Sequence, residues 1–113
     1  MGDAELTIVC LCAQWCGTCR DWRPVMDTLA AANPAWRWRW LDIEDEAALL
    51  GELDVETLPS LLVARGAQVL FFGPVLPRAE LLGRLLDTLS RQPQASSGLP
   101  EGVDELWERL RRP

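Results

Sequence analysis

The sequence predicts an α/β fold in which helices cover both faces of a small mixed sheet. Three observations predict it. A mostly apolar β-type run, Glu5 to Ala13 (ELTIVCLCA), gives way to a helical pattern and then to an alternating segment, the order of a βαβ unit. Two short apolar runs then flank Arg65-Gly66-Ala67, the spacing of a hairpin. Leucines recur at helical spacing beyond Pro77. At 113 residues the chain is long enough for one domain with its own core.

Each element has a local reason. The run from Glu5 to Ala13 suits a strand buried on both faces. Cys16 to about Ala32 reads as a helix with Trp22, Val25, Met26, Leu29 and Ala30 on one stripe, kinked by Pro24 and broken at Asn33-Pro34. Trp36 to Ile43 alternates as a strand. Asp45 to Leu53 reads as a short helix with Asp45 as N-cap and Ala48, Leu49 and Leu53 facing one way. Ser60 to Ala64 and Gln68 to Phe72 form the hairpin, and Gly73-Pro74 closes it. Pro77 fits the first turn of a helix reaching Arg91, with Leu81, Leu82, Leu85, Leu86 and Leu89 as its buried stripe. Residues 92–102 are rich in Pro, Ser and Gly and read as a linker, after which residues 103–113 form a last amphipathic helix on Val103, Leu106, Trp107 and Leu110. The organisation predicted is thus a domain over 1–91, a linker over 92–102 and an appended helix packing on the domain.

Composition narrows the function. A net charge of −6 argues against nucleic acid or an anionic membrane as partner. No apolar stretch approaches the length of a membrane span, and no basic, signal-like region precedes Cys10, so a cytoplasmic location is expected. The chain has no His, which removes the usual general base and zinc nitrogen ligand, and no Lys, which removes Schiff-base chemistry and a P-loop. Reactive chemistry is left to cysteine or carboxylate.

Trp15-Cys16-Gly17-Thr18-Cys19 supplies it. Two thiols two residues apart can close into a small disulfide ring, and the unpaired N–H groups of a helix start stabilise a thiolate on the first. Cys10 and Cys12 raise the alternative of a four-cysteine metal site. At about 3.3 Å per strand residue, Cys10 lies roughly 20 Å of chain from Cys16, whereas zinc thiolates converge at about 2.3 Å from the metal. Cys10 and Cys12 share a strand face and read as core, with Cys12 the candidate regulatory thiol if exposed. No metal site and no cofactor are expected. The acidic group Asp42, Glu44, Asp45 and Glu46 lacks the glycine and spacing of a calcium loop and reads as helix-start capping. Trp36, Trp38 and Trp40 share one strand face as core or edge cover, and Arg20 either steers acidic partners or is a solvated charge.

The motif, Pro24 five residues after its second cysteine, Thr57-Leu58-Pro59-Ser60 opening a strand, and Gly73 after the hairpin together resemble the thioredoxin family over residues 5 to about 91. The resemblance implies a three-layer α/β/α sandwich, here with a minimal four-stranded mixed sheet lacking the family's N-terminal strand and helix, so that Trp36–Ile43 becomes an edge strand. Such an edge is a pairing hazard and the place where a homodimer would form, blunted by Arg37 and Arg39. It implies Cys16 as nucleophile, Cys19 as the more buried resolving thiol, and Pro59 as a cis-proline facing them. Trp15, Gly17, Thr18, Leu58 and Gly73 would line the substrate surface, the backbone of Leu58 binding an extended strand. Disulfide-containing proteins are the implied substrates, and a flavoprotein or a small thiol the reductant. Thr18 stands where reductive members usually carry Pro, which implies a potential between the most reducing members and the isomerases. Cys10 stands where such members place a buried carboxylate, and Trp40 where they often carry Lys, so Glu44 or water would have to accept the Cys19 proton. Protein-disulfide reduction is the function implied. The alternative is a binding or redox-sensing module in which the same cysteines form a slow switch.

Overall fold

A computed structural model describes residues 6–13, 16–51, 53, 55, 58–76, 78–91, 99 and 101–111. Trp15, Thr57, Pro77 and most of the linker lie outside the described residues. The elements run β1 (Thr7–Cys12), α1 (Gly17–Ala32), β2 (Arg37–Asp42), α2 (Ala47–Leu50), β3 (Ser60–Arg65), β4 (Gln68–Pro74), α3 (Ala79–Arg91) and α4 (Val103–Arg111). The four strands form one mixed sheet in the order β2-β1-β3-β4. β1 pairs parallel with β2 and antiparallel with β3, and β3 pairs antiparallel with β4. β2 is therefore an edge strand, its Arg37 and Arg39 exposed and its Trp38 and Trp40 half-buried.

Strand parity divides the core into two layers. Ile8, Cys10 and Cys12 of β1 pack with Leu61 and Val63 of β3 against α1 and α3. Val9 and Leu11 pack with Leu62 and Ala64 against the other face, where Leu50, Val103, Leu106 and Trp107 cover them. β1 lies in the interior of the sheet and is buried from Ile8 to Cys12, which explains its continuous apolar sequence. α4 is tied down by polar contacts too. The Trp107 indole N–H donates to the Gly66 carbonyl at 2.9 Å, and Arg109 donates to the Leu49 carbonyl at 2.8 Å. Gly66 sits in the two-residue hairpin turn at φ +59, a conformation that suits glycine.

Two expectations are corrected. α2 spans Ala47–Leu50 rather than Asp45 to Leu53, and Asp45 is not its cap. Asp42 accepts the backbone N–H groups of Glu44 and Asp45 at 2.9 and 3.1 Å, so a side-chain turn competes with the helix and delays its start. Gly51, at φ +57, follows its end. Within it Leu50 rather than Ala48 is buried, while Leu49 is half-buried. In α3 the buried stripe is Leu82, Leu86 and Leu89, with Leu85 half-buried; Leu81 is 46% exposed because it lies one step around the helix from Leu82. Pro24 lies inside α1, as expected, and its carbonyl accepts the Thr28 hydroxyl at 3.0 Å.

Candidate active site

The cysteine motif sits where β1 ends and α1 begins. Cys16 precedes the first helical residue with an extended backbone, and Gly17 and Thr18 are exposed in the first turn. Helical period then carries Cys19 inward, to 1% exposure, on the same stripe as Trp22 and Met26. Two thiols two residues apart in sequence thus end up on opposite sides of the molecular surface.

Register brings the other predicted residues to this end of the sheet. Ser60 pairs with Leu11 and with Pro74, so Pro59 enters the sheet beside the end of β1. The Leu58–Pro59 peptide bond is cis. Pro59 is buried, and its carbonyl accepts the Val75 N–H at 3.1 Å. Gly73 is buried opposite Leu61, and Leu58 and Val75 pack against the cluster that contains Cys16 and Cys19. Leu76, next along the chain, is 64% exposed.

The two motif thiols differ in acidity. The Cys19 backbone N–H, the Cys19 thiol and the Thr18 N–H and hydroxyl all hydrogen-bond to Cys16 and outweigh desolvation, holding its thiol below the ordinary range. Burial, then contact with the Cys12 and Cys16 thiols, pushes Cys19 well above it. The alkylation rate of Cys16 should therefore reach half its maximum below the ordinary thiol midpoint of about pH 8.5, because only the thiolate reacts. A profile centred at or above that pH in an iodoacetamide time course would mean that the N–H donors do not reach the sulfur.

Behind Cys19 the sulfurs continue. Cys19 contacts Cys12 through a side-chain hydrogen bond. Cys12 lies 3.5 Å from Cys10. The Trp22 indole N–H in turn donates to the Cys10 sulfur. Cys10 and Cys12 are both fully buried, so the exposure that would make Cys12 an accessible regulatory thiol is missing. Hydrogen bonding to Cys10 and burial push the Cys12 thiol far above its ordinary value. Sequence reasoning placed these cysteines in the core but missed their contact with Cys19. The signal was there: Cys10 and Cys12 share the β1 face that meets the Cys19–Trp22 stripe of α1. Among the described residues no group of three or more His, Cys, Asp or Glu side chains is arranged to hold a metal ion.

Cys10 is in register with Trp40 on β2, so two neutral side chains stand together at this point of the core. The Arg23 guanidinium caps the Trp40 ring at 4.5 Å. A cavity of about 510 Å³ opens there, lined by Cys19, Arg20, Arg23, Trp40, Asp42 and Asp45, with Ala13 completing it. Glu44, the carboxylate expected to serve Cys19, is not among its walls; Asp42 and Asp45 are. Trp36, Trp38 and Trp40 are half-buried against the same core and cover the edge of the sheet, and Trp40 also forms a wall of the cavity.

Comparison with known proteins agrees with this geometry. The family model described as Thioredoxin matches residues 2–81. A protein named putative thioredoxin 2 from Streptomyces coelicolor is 31% identical over 80 residues, which cover 70% of this chain and 60% of that relative. The chain thus spans less than two thirds of that relative's length. The thioredoxin of Fasciola hepatica superposes with a TM-score of 0.68 at 20% identity, over 77% of this chain and 83% of that one. Thioredoxin f2, solved in complex with ferredoxin:thioredoxin reductase, superposes with a TM-score of 0.67 at 18% identity, over 77% and 79%. With most of its length matched by the family model, a sheet and helices of the same fold, and a dithiol at the head of α1, the chain belongs to the thioredoxin family.

Proposed function

We propose that the chain is a thiol–disulfide oxidoreductase that reduces protein disulfides by dithiol exchange. The observation that carries the reading is the contrast between Cys16, half-buried and made acidic by N–H donors, and Cys19, buried, protonated and in contact with it. The Cys16 thiolate attacks one sulfur of a substrate disulfide, and the other substrate sulfur leaves with the bonding pair. Cys19 then loses its proton and attacks the Cys16 sulfur, releasing the second substrate thiol and leaving a Cys16–Cys19 disulfide. The cavity behind Cys19, walled by Asp42 and Asp45, supports a route for that proton to water. Exposed Leu76, which follows Val75 where its N–H meets the Pro59 carbonyl, supports an apolar landing point for an extended substrate. A flavoprotein reductase or a small thiol would return the disulfide to the dithiol, and the complex of thioredoxin f2 with its reductase supports a reductase partner in general.

A Cys19→Ser variant tests this reading. Incubated with a disulfide-bonded protein, it should accumulate a mixed disulfide through Cys16 that wild type clears and that Cys16→Ser never forms. If no adduct appears, and wild type reduces the substrate no faster than Cys16→Ser, the reductase reading fails. The binding or redox-sensing module then stands, a reading favoured by the neutral Cys10 and Trp40 behind the site.

A further inference from the structure

We propose that Cys12 is a third redox cysteine, which attacks Cys19 in the Cys16–Cys19 disulfide and moves the bond inward as Cys12–Cys19, returning Cys16 to the surface as a free thiolate. The proposal rests on the dithiol reading above, whose product is its starting material.

Cys19 shares side-chain hydrogen bonds with both Cys16 and Cys12, and the three thiols meet in one core cluster. Thiol–disulfide exchange needs an attacking, a central and a leaving sulfur within reach of one another, and Cys12, Cys19 and Cys16 supply the three. Cys10, although its sulfur is 3.5 Å from that of Cys12, is not the competing partner. Residues two apart in a strand have α-carbons about 6.6 Å apart and parallel side chains, whereas a disulfide needs β-carbons within about 4.5 Å. The Cys10 sulfur is also engaged by the Trp22 indole. Cys12 and Cys19 come instead from different elements, a strand and a helix that pack face to face.

The step balances without an added reagent. Cys12 gives up its proton and bonds to the Cys19 sulfur; the Cys19–Cys16 bond breaks, and Cys16 leaves with the electron pair. One disulfide exists before and one after, so nothing is oxidised or reduced overall. The proton passes to water by way of the cavity that Cys19 lines. The direction follows from the leaving group. In Cys16 alone of the three do hydrogen-bond donors outweigh burial and favour the thiolate, whereas Cys12 and Cys19 are fully buried or nearly so and their thiolates are disfavoured. The inward bond uses up the two sulfurs that ionise worst and frees the one that ionises best. An oxidised chain in this form keeps a surface nucleophile without its resolver, and would hold a second disulfide partner covalently rather than release it.

The test uses the full chain. The protein is oxidised with one equivalent of diamide, freed of reagent and held for hours at neutral pH. It is labelled natively with iodoacetamide, then denatured and cleaved by chymotrypsin after Trp15 and Leu11. The expected result is label on Cys16 and a disulfide joining the Cys12 and Cys19 peptides. Both should be lost in Cys12→Ser and in Cys12→Ala, and both kept in Cys10→Ser. Wild-type mapping needs no variant, so a misfolded substitution does not decide the matter. A bond found only between Cys16 and Cys19, with Cys16 unlabelled, overturns the proposal and leaves the dithiol reading intact. A bond from Cys10 instead of Cys12 overturns it as well. Failure of diamide to form any disulfide with Cys16 or Cys19 overturns both.

Discussion

Replacing Leu106 and Trp107 together by alanine is expected to abolish cooperative folding at room temperature. Leu106 is fully buried and Trp107 is 6% exposed, and both lie over Val9, Leu11, Leu62 and Ala64 on the sheet face opposite α1. Truncating a buried leucine costs about 2–5 kcal/mol and a buried tryptophan about 3–5 kcal/mol. The two share a cluster, so the costs do not simply add. Even so, their joint effect consumes most of the roughly 5–15 kcal/mol by which a domain of this kind is stable. α2, a single turn, offers only Leu50 and the half-buried Leu49 on that face and cannot replace them. A milder change is Trp107→Phe, which keeps an aromatic ring but loses the N–H bonded to the Gly66 carbonyl and part of the indole's bulk, and should cost upwards of about 1 kcal/mol. Urea unfolding followed by circular dichroism reads both. A double variant that unfolds cooperatively within about 1 kcal/mol of wild type would mean that α4 is not part of the core.

The place of α4 marks the boundary of what sequence could tell. Its spacing of Val103, Leu106 and Trp107 announced an apolar face, but not which surface it covers. That depends on strand parity in β1 and β3, which puts Val9 and Leu62 on one side and Cys10 and Leu61 on the other. The larger outline was legible because independent signals coincided: the buried run of β1, the period of α1 and the hairpin turn at Gly66. α2 was misread because Asp42, Asp45 and Glu46 carry the same residue types whether they cap a helix or make a side-chain turn. Leu81 was misread because a run of leucines does not reveal how wide the covered stripe is. At the candidate site, the placement of Cys16 at the head of α1 and of Cys19 inside it was legible from local spacing. Their link to Cys12 and Cys10 was not, since contacts between packed elements depend on depth and rotation rather than on separation along the chain.

Those same contacts set the second large effect, a steep loss of stability of the reduced protein in alkali. Cys12 and Cys19 hold their protons far more tightly when folded, through hydrogen bonding and burial. The unfolded chain releases them near the ordinary thiol midpoint of about pH 8.5, so above that pH it binds fewer protons than the folded chain and unfolding gains ground. Each such thiol lowers stability by about 1.4 kcal/mol per pH unit, and the two together by about 2.7 kcal/mol per pH unit. Cys16 acts with the opposite sign and in a different window. Its folded thiol is the more acidic, so its contribution grows as pH rises to about 8.5 and adds no further slope beyond. The chain contains no Lys and no Tyr, so cysteine is the one side-chain type whose ordinary titration falls between about pH 8 and 10. Urea midpoints measured over that range with a phosphine reductant should therefore fall steeply. Cys12→Ser should halve the slope, since it leaves Cys19 alone of these two thiols to titrate. A stability that stays level across that range would remove the protonated Cys12–Cys19 contact from the account of the site.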